Sequence, residues 1–317
     1  MRLFRLLGEE KKDIFYVFVY AAFVGLVSLT LPLGIQATVE LVSGGVVVSS
    51  IYLMIFLVLI GVLAAGGLQI MQITLVEYIQ RRVFTKAALE FTFRIPRMKV
   101  ESLSNLHAPE LINRFFDVLT IQKGLPKLLG DLMSGIIQII FGLILLSFYN
   151  SFFVFFGLLL VVTLVIIFRL TGVKGLQSSI KESKYKYQVV YWLEEIARTL
   201  NSFKISGNTS LPIKKTEYNV NNYLINRKAQ FRVLMSQYFY IVLFKAAITG
   251  GLLIIGTSLV INNQITLGQF VASEVIIILI LNSVEKLLTY MDVVYDMLTA
   301  VDKISQVTDL PLEKVGG

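Results

Sequence analysis

The chain has 317 residues, of which 56% are hydrophobic, and its mean hydropathy of +0.74 lies far outside the range of soluble proteins. Cysteine is absent and histidine occurs once, which excludes a disulfide framework, a thiolate nucleophile and cysteine-ligated metal sites. The formal net charge of +8 is therefore first an indicator of membrane topology rather than of nucleic-acid binding.

The first segment, residues 1–13, combines arginines with short apolar runs and is predicted to form an amphipathic helix on the inner membrane surface. The apolar sequence that follows it is too long for the core of a signal peptide and has no small-residue cleavage site. We therefore expect this segment to be retained.

Six apolar stretches are long enough, or nearly so, to cross a hydrocarbon core of roughly 30 Å, which takes about 20 helical residues. Pro32 is expected to kink the first of them, and Phe152, Phe153, Phe155 and Phe156 in the fourth are expected to face lipid. The sequence thus predicts an all-α membrane protein with six long transmembrane helices. In chain order the stretches are Ile14–Val42, Val46–Val76, Leu132–Tyr149, Phe152–Phe168, Val233–Ile261 and Leu267–Leu288.

The positive charges are distributed unevenly between the connections. Four Lys and Arg residues precede the first stretch, nine lie from Arg81 to Lys127, twelve lie from Arg169 to Arg232, and three follow near the C-terminal end. Apart from Lys286 at the inner end of the sixth stretch, only Lys245 lies inside a stretch, and the connections on the opposite side carry no basic residue. The positive-inside rule therefore predicts that both termini are cytoplasmic.

The two inner connections, about 55 and 64 residues long, are predicted to be membrane helices that continue into the cytoplasm, since they are rich in helix formers. Each projecting pair needs a turn at its tip. Residues 95–97 interrupt the first pair at Pro96, and residues 102–110 offer caps for a short transverse helix. Residues 206–212 provide the corresponding turn in the second pair. We interpret the two tips as docking surfaces held away from the membrane.

Three local motifs accompany this topology: Leu31–Gln36 (LPLGIQ), Thr266–Ala272 (TLGQFVA) and Leu298–Ile304 (LTAVDKI). With the six stretches and two inward tips, they resemble the membrane domain of an ATP-binding cassette (ABC) exporter, in the branch of peptide, bacteriocin and type I secretion exporters. The resemblance assigns residues 14–306 to the six-helix domain. Residues 307–317, which begin VTDLPLE, resemble the linker that leads to an ATPase domain.

The resemblance implies a substrate pathway in a bacterial plasma membrane, built as a homodimer or as a heterodimer with a homologous half-transporter and coupled to nucleotide-binding ATPase domains. The sequence contains no Gly-x-x-x-x-Gly-Lys-Ser/Thr loop. We therefore assign this chain no catalytic residue, metal or cofactor. ATP and Mg are expected to bind the partner ATPase domain. That domain is encoded separately or was removed from a longer chain. Membrane lipid is an expected partner, and nucleic acid is not. The residues expected to couple to the ATPase domain are Asn105, Leu106, His107 and Glu110 at the first tip and Asn208, Thr209, Leu211 and Lys214 at the second.

Polar residues inside the stretches are costly in hydrocarbon and are therefore candidates for function. We count 1.5 Å per residue from the outer end of each stretch. Glu274 is then roughly 12 Å deep, at a depth similar to that of Gln36. Lys245 is about 24 Å deep, at a depth similar to that of Glu285. The sequence predicts these two pairings. Gln36 and Glu274 either face a water-accessible cavity that contacts cargo or form an interhelical hydrogen bond without such a role. Lys245 is expected to extend towards the inner interface.

Two other functions fit the same sequence. A secondary transporter would use Glu274 as a proton-coupling carboxylate, although such folds often show broken helices and midplane ion sites in internal repeats. A non-transporting membrane scaffold would use the tips for partner binding alone.

Overall fold

The computed structural model describes residues 10–45, 48–99, 112–207 and 209–313, and these residues are almost entirely helical. A 3₁₀ turn covers Ile95–Arg97 and a π-helical segment covers Pro126–Leu132. The α-helices of this part of the chain are, in order, α1 (Lys11–Ser28), α2 (Thr30–Ser43), α3 (Val48–Arg94), α4 (Phe116–Leu125), α5 (Met133–Tyr149), α6 (Ser151–Arg198), α7 (Leu200–Ile205), α8 (Leu211–Ile261), α9 (Leu267–Thr289) and α10 (Met291–Thr308).

Within the described residues, six helical units are long and apolar enough to cross a membrane, which confirms the predicted fold class. We call them spans 1 to 6. Span 1 combines α1 with α2, span 3 joins α4 and α5 through the π-helical segment, and span 6 combines α9 with α10. Their limits are Lys11–Ser43, Ser49–Arg97, Phe116–Tyr149, Ser151–Arg198, Leu211–Ile261 and Leu267–Thr308.

Three helices are much longer than a bilayer is thick. With 47, 48 and 51 residues, α3, α6 and α8 are each roughly 70–75 Å long at 1.5 Å per residue, whereas the hydrocarbon core is roughly 30 Å thick. About half of each helix must therefore lie outside the membrane. We call the parts beyond the six apolar stretches, on the side of the long connections, the polar half.

Local sequence explains where the helices end on the side of the short connections, which we call the outer side after the predicted orientation. The Asn150 side chain accepts a hydrogen bond from the backbone N–H of Phe152 at 2.9 Å and starts α6. At the start of α9, Thr266 and Gln269 form a reciprocal capping box. Asn263, with a φ of 55°, takes the left-handed conformation that the tight turn between spans 5 and 6 requires. Short polar turns thus close the outer side.

Proline residues account for two interruptions. A proline ring clashes with the carbonyl group four residues earlier, and for Pro32 that residue is Ser28, the last residue of α1. The predicted effect of Pro32 is confirmed as a break at Leu29, with the proline itself in the first turn of α2. Pro96 lies in the 3₁₀ turn that ends span 2, as the sequence predicts.

Among the residues that the structure describes, two hydrophobic clusters hold the spans together. One lies mainly in the polar half and packs α3 against α4 and α10 through residues such as Ile79, Ile121 and Ile304. The other lies within the membrane stretches of α5, α6, α8 and α9. Each cluster therefore fixes a different level of the bundle.

The phenylalanines of span 4 divide between lipid and protein. Phe155 is 73% exposed, as expected for a lipid-facing side chain, but Phe153 and Phe156 are buried in the second cluster. The expectation that all four aromatics face lipid was wrong. Residues three apart share a helical face, so Phe153 and Phe156 both point at the neighbouring spans.

Candidate functional site

A hydrogen-bonded group joins the outer ends of spans 1, 3 and 6. Glu40 Oε1 accepts a hydrogen bond from Gln36 Nε2 at 3.2 Å and another from the Thr266 hydroxyl at 2.8 Å. The Tyr149 hydroxyl donates to Gln36 Oε1 at 2.6 Å. Since Gln36 and Glu40 share one face of α2, these two residues bind both neighbouring spans. We call Gln36, Glu40, Tyr149 and Thr266 the outer network.

Gly268 allows the close approach of helices that the outer network requires. A Cβ atom added at this position would lie 2.5 Å from Glu40 Cγ and 2.8 Å from the backbone oxygen of Gln36. Because the second of these is a backbone atom, it cannot rotate away. The contact between α2 and α9 therefore depends on a residue without a side chain at position 268.

Gln36 and Glu274, which the sequence places at similar depth, are not brought together. Gln36 is level with Gly268, and Glu274 follows Gly268 by six residues, or about 9 Å along the helix. The depth count failed because it ignored the axial offset between spans 1 and 6, which packing decides. Glu274 is partly buried, and its Oε1 has no hydrogen-bond partner among the described residues.

Lys245 and Glu285 lie next to each other. Lys245 Nζ is 3.0 Å from Glu285 Oε2, which is the pairing that the depth count suggests, and the Tyr238 hydroxyl donates to the other carboxylate oxygen at 3.2 Å. The ion pair joins spans 5 and 6 near the polar half. Its side chains are 40% and 35% exposed, so it lies at the periphery of the bundle and not in its core.

Neutralising one member of this pair is expected to destabilise the protein, while exchanging the two charges is not. Lys245→Gln leaves the carboxylate without its charged donor, and hydrogen bonds to charged groups contribute about 1.5–3 kcal/mol. The doubly substituted Lys245→Glu, Glu285→Lys protein restores both charges. Thermal unfolding in nanodiscs measures the effect, with Tyr238→Phe as the control that removes only the neutral donor. Equal losses in the single and double variants would show that the pair is not the cause.

The polar half contains a buried polar group between spans 3, 4 and 6. Tyr187 donates a short hydrogen bond to Asp117, which is 5% exposed. The Ser179 hydroxyl donates to Asp296 Oδ1 at 3.0 Å and lies 3.2 Å from the Thr299 hydroxyl. These bonds surround a cavity of about 80 Å³. Directional bonds of this kind fix the relative rotation of α4, α6 and α10 more strictly than apolar contacts do.

Trp192, the one tryptophan of the chain, holds the second tip together. Its ring is 7% exposed, stacks edge-on against Phe203 with centroids 6.4 Å apart, and donates from Nε1 to the Pro212 carbonyl oxygen at 3.2 Å. Lys215 Nζ lies 4.0 Å from the ring centroid. One side chain thus connects the end of α6, the short α7 and the start of α8.

The second tip exposes large apolar side chains at the far end of the polar half. Ile205 is 87% exposed, Ile213 is 73% exposed and Leu211 is 53% exposed, and Lys214 is exposed beside them. Thr209 is half-buried, and its side chain accepts from the backbone N–H of Leu211 at 3.3 Å. Of the residues expected to couple at the two tips, Asn105, Leu106, His107, Glu110 and Asn208 lie outside the described residues.

The exit of span 6 pairs with the entry to the first tip. Met98 and Leu312 form an isolated antiparallel bridge, Lys99 N–H donates to the Pro311 oxygen at 3.2 Å, and Glu313 N–H donates to the Arg97 oxygen at 2.7 Å. The segment expected to act as a linker is therefore attached to the end of span 2.

The N-terminal segment expected to be amphipathic is described only from residue 10. Glu10 is 4% exposed, and its carboxylate lies 3.1 Å from Arg82 Nη1. Burial raises the pKa of the Glu10 carboxyl above its usual value, and Arg82 opposes this effect. The bond joins the start of span 1 to the polar half of span 2.

Several of these residues were missed by sequence reasoning. Glu40 lies inside the first apolar stretch, four residues after Gln36, and this i,i+4 spacing is the signal that would have paired them. Asp117 and Trp192 lie in the long connections and Asp296 lies after the sixth stretch, where a charged or aromatic side chain is ordinary. No sequence feature separates them from their exposed neighbours.

Comparison with known families identifies most of the chain. The family model described as ABC transporter transmembrane region matches residues 14–284, which is most of the chain and reaches from the start of span 1 into span 6. No curated protein matches the chain significantly.

Proposed function

The chain belongs to the ABC transporter transmembrane region family, and we propose that it forms one membrane half of an exporter driven by ATPase domains that dock on its two tips. The second half is another copy of the chain or a homologous half-transporter. The polar half lies in the cytoplasm, the plasma membrane surrounds the apolar stretches, and ATP and Mg bind the ATPase domains. The chain itself carries out no hydrolysis.

The observation that carries this proposal is the second tip. The helices α6 and α8 continue roughly 30–45 Å beyond their apolar stretches and end in exposed Ile205, Leu211 and Ile213. Several large apolar side chains exposed around one turn at the far end of a projection favour a protein contact, because grouped apolar surface gains free energy by leaving water. Lys214 adds a charge at the edge of the same surface.

The polar half is suited to transmit movement. The buried bonds of Asp117, Asp296 and Ser179 join spans 3, 4 and 6 between the tips and the membrane, so that a displaced tip moves several helices together. The pairing of Met98 with Leu312 adds a direct connection between the first tip and the end of span 6. Docked ATPase domains that close on ATP would thereby act on the whole bundle.

The outer network holds the outer side in a closed conformation, which must open during export. In this structure the outer ends of spans 1, 3 and 6 are joined through Glu40, which corresponds to a closed outer side. Export requires a second state in which these ends separate. Nucleotide-loaded partners shift the population towards that state only if they bind it more tightly than the closed one.

The natural absence of cysteine makes a direct test possible. Ser273 is fully buried near the outer end of α9, whereas Asn262 lies exposed in the outer turn. Single Ser273→Cys and Asn262→Cys variants are treated from outside with a membrane-impermeant maleimide. With the ATPase partner, ATP and vanadate, Ser273→Cys is expected to become labelled, while Asn262→Cys is labelled under all conditions.

The same experiment separates the other functions. Labelling of Ser273→Cys that responds to a proton gradient with no ATPase present would overturn the exporter proposal and favour coupling through Glu274. Partner binding at the tips without any change in labelling would indicate a scaffold. Omission of ATP is the matched negative control for the exporter.

A further inference from the structure

A cavity of about 480 Å³ lies between spans 1, 2, 3 and 6, where the apolar stretches meet the polar half. Its volume is within the range of sites that hold small ligands. The π-helical segment Pro126–Leu132 forms one edge, and short π-helical insertions often occur at functional sites. The cavity is separate from the outer network and from the second tip.

The π-helical segment supplies a backbone acceptor to the cavity wall. Gln72, which is 2% exposed, donates from Nε2 to the Leu129 carbonyl oxygen at 3.3 Å and lies 3.1 Å from the Ser134 hydroxyl. In the neighbouring turn, the Ser283 hydroxyl donates to Gln138 Oε1 at 2.9 Å. These bonds leave the amide nitrogen of Gln138 without a protein acceptor in the described part of the chain. The wall is thus rigid and keeps a free donor.

The cavity also contains one carboxylate and one ammonium group. Asp131 and Lys286 both line it, and Tyr290, one helical turn after Lys286, lies beside Asp131. Among the residues that the structure describes, no ion pair within 4.0 Å joins Asp131 to Lys286. Gly130, next to Asp131 in the sequence, also lines the wall, and a Cβ at this position would meet nothing within 4 Å. Two opposite charges therefore face open space at the edge of the hydrocarbon.

We propose that this cavity binds a zwitterion, a group that carries an ammonium and an anionic oxygen together. Such a ligand places its ammonium at Asp131 and its anion at Lys286, and the Gln138 amide donates to the anion. A ligand of single charge leaves one protein charge uncompensated at the edge of the bilayer, where unpaired charge is costly. A ligand without charged groups leaves both protein charges uncompensated. Binding does not depend on the ATPase partner.

The zwitterion can be a phosphoethanolamine headgroup on a lipid or the same group free in solution, and the test separates the two. The full chain is reconstituted in nanodiscs of phosphatidylglycerol, which supply no ammonium. Three probes are then titrated: free phosphoethanolamine, dihexanoyl phosphatidylethanolamine and dihexanoyl phosphatidylglycerol. Binding of the phosphatidylethanolamine probe alone assigns a lipid ligand, and binding of free phosphoethanolamine assigns recognition of the headgroup itself.

Charge substitutions show whether the probes bind in this cavity. Asp131→Asn and Lys286→Gln are each expected to weaken phosphoethanolamine or phosphatidylethanolamine binding by about tenfold or more, since each removes a charge-assisted hydrogen bond. The doubly substituted Asp131→Lys, Lys286→Asp protein keeps both charges and retains more binding than either single variant. Gly130→Leu fills the open space and blocks binding without changing any charge. Lys228→Gln, on the exposed side of α8, is the matched control.

The proposal is overturned if the phosphatidylglycerol probe binds as tightly as the phosphatidylethanolamine probe. It is equally overturned if neither zwitterionic probe binds, or if binding persists within twofold in Asp131→Asn, Lys286→Gln and Gly130→Leu. Because the ATPase partner is absent from this experiment, these outcomes leave the exporter proposal unaffected.

Discussion

Replacing Trp192 by alanine is expected to uncouple ATP hydrolysis from opening of the outer side. The ring is buried between Phe203 and the start of α8, and its N–H donates to the Pro212 carbonyl oxygen. Truncating a buried aromatic side chain costs about 3–5 kcal/mol, and here the loss falls on one small tip. A loosened tip still meets the ATPase domain but no longer moves α6 and α8 as one unit.

Labelling of Ser273→Cys under ATP and vanadate measures this loss, and we expect at least a tenfold slower rate in the Trp192→Ala background. Trp192→Phe keeps the stacking and loses only the N–H donor, so its rate is expected to lie between those of the parent and alanine variants. Unchanged labelling of Asn262→Cys, with unchanged helical content by circular dichroism, shows that the membrane part is intact. Normal opening in Trp192→Ala would mean that the second tip does not transmit movement.

The fold could be predicted largely from the sequence because its main determinants are local. Hydropathy located six spans, the helix formers and the lack of proline in residues 77–90 and 177–200 indicated that the helices continue, and Pro32 and Pro96 marked the interruptions. The π-helical segment Pro126–Leu132 and the break at Tyr290 were not predicted. Both are adjustments within an otherwise helical sequence, and they depend on how spans 3 and 6 pack against their neighbours.

The candidate sites were less predictable because contacts between spans depend on axial offsets. Lys245 and Glu285 lie together where the depth count placed them, while Gln36 and Glu274 are about 9 Å apart along the bundle. Neither Glu40 nor Gly268 stood out, since a carboxylate near an outer end and a glycine in a helix are both common. Their importance arises only from the close approach of α2 to α9.

Gly268 is the position at which the smallest substitution is expected to have a large effect. An added Cβ would lie 2.5 Å from Glu40 Cγ and 2.8 Å from the Gln36 backbone oxygen, so Gly268→Ala forces α2 and α9 apart. Overpacking of this kind costs about 1–3 kcal/mol. The cost falls only on the state in which the outer ends are joined, so it favours the open state by about 5- to 150-fold.

The substitution is therefore expected to make Ser273→Cys accessible to the outside reagent without ATP or a partner. Gly250→Ala is the matched control, because its added Cβ would meet nothing within 4 Å and alanine favours the helix. Glu40→Ala removes the hydrogen bonds but leaves Gly268 in place, so its labelling should rise less than that of Gly268→Ala. If Gly268→Ala and Gly250→Ala were labelled alike, close packing at residue 268 would not be what holds the outer side closed. If Glu40→Ala had the larger effect, the hydrogen bonds of the outer network, rather than the close approach of the two helices, would keep spans 1 and 6 together.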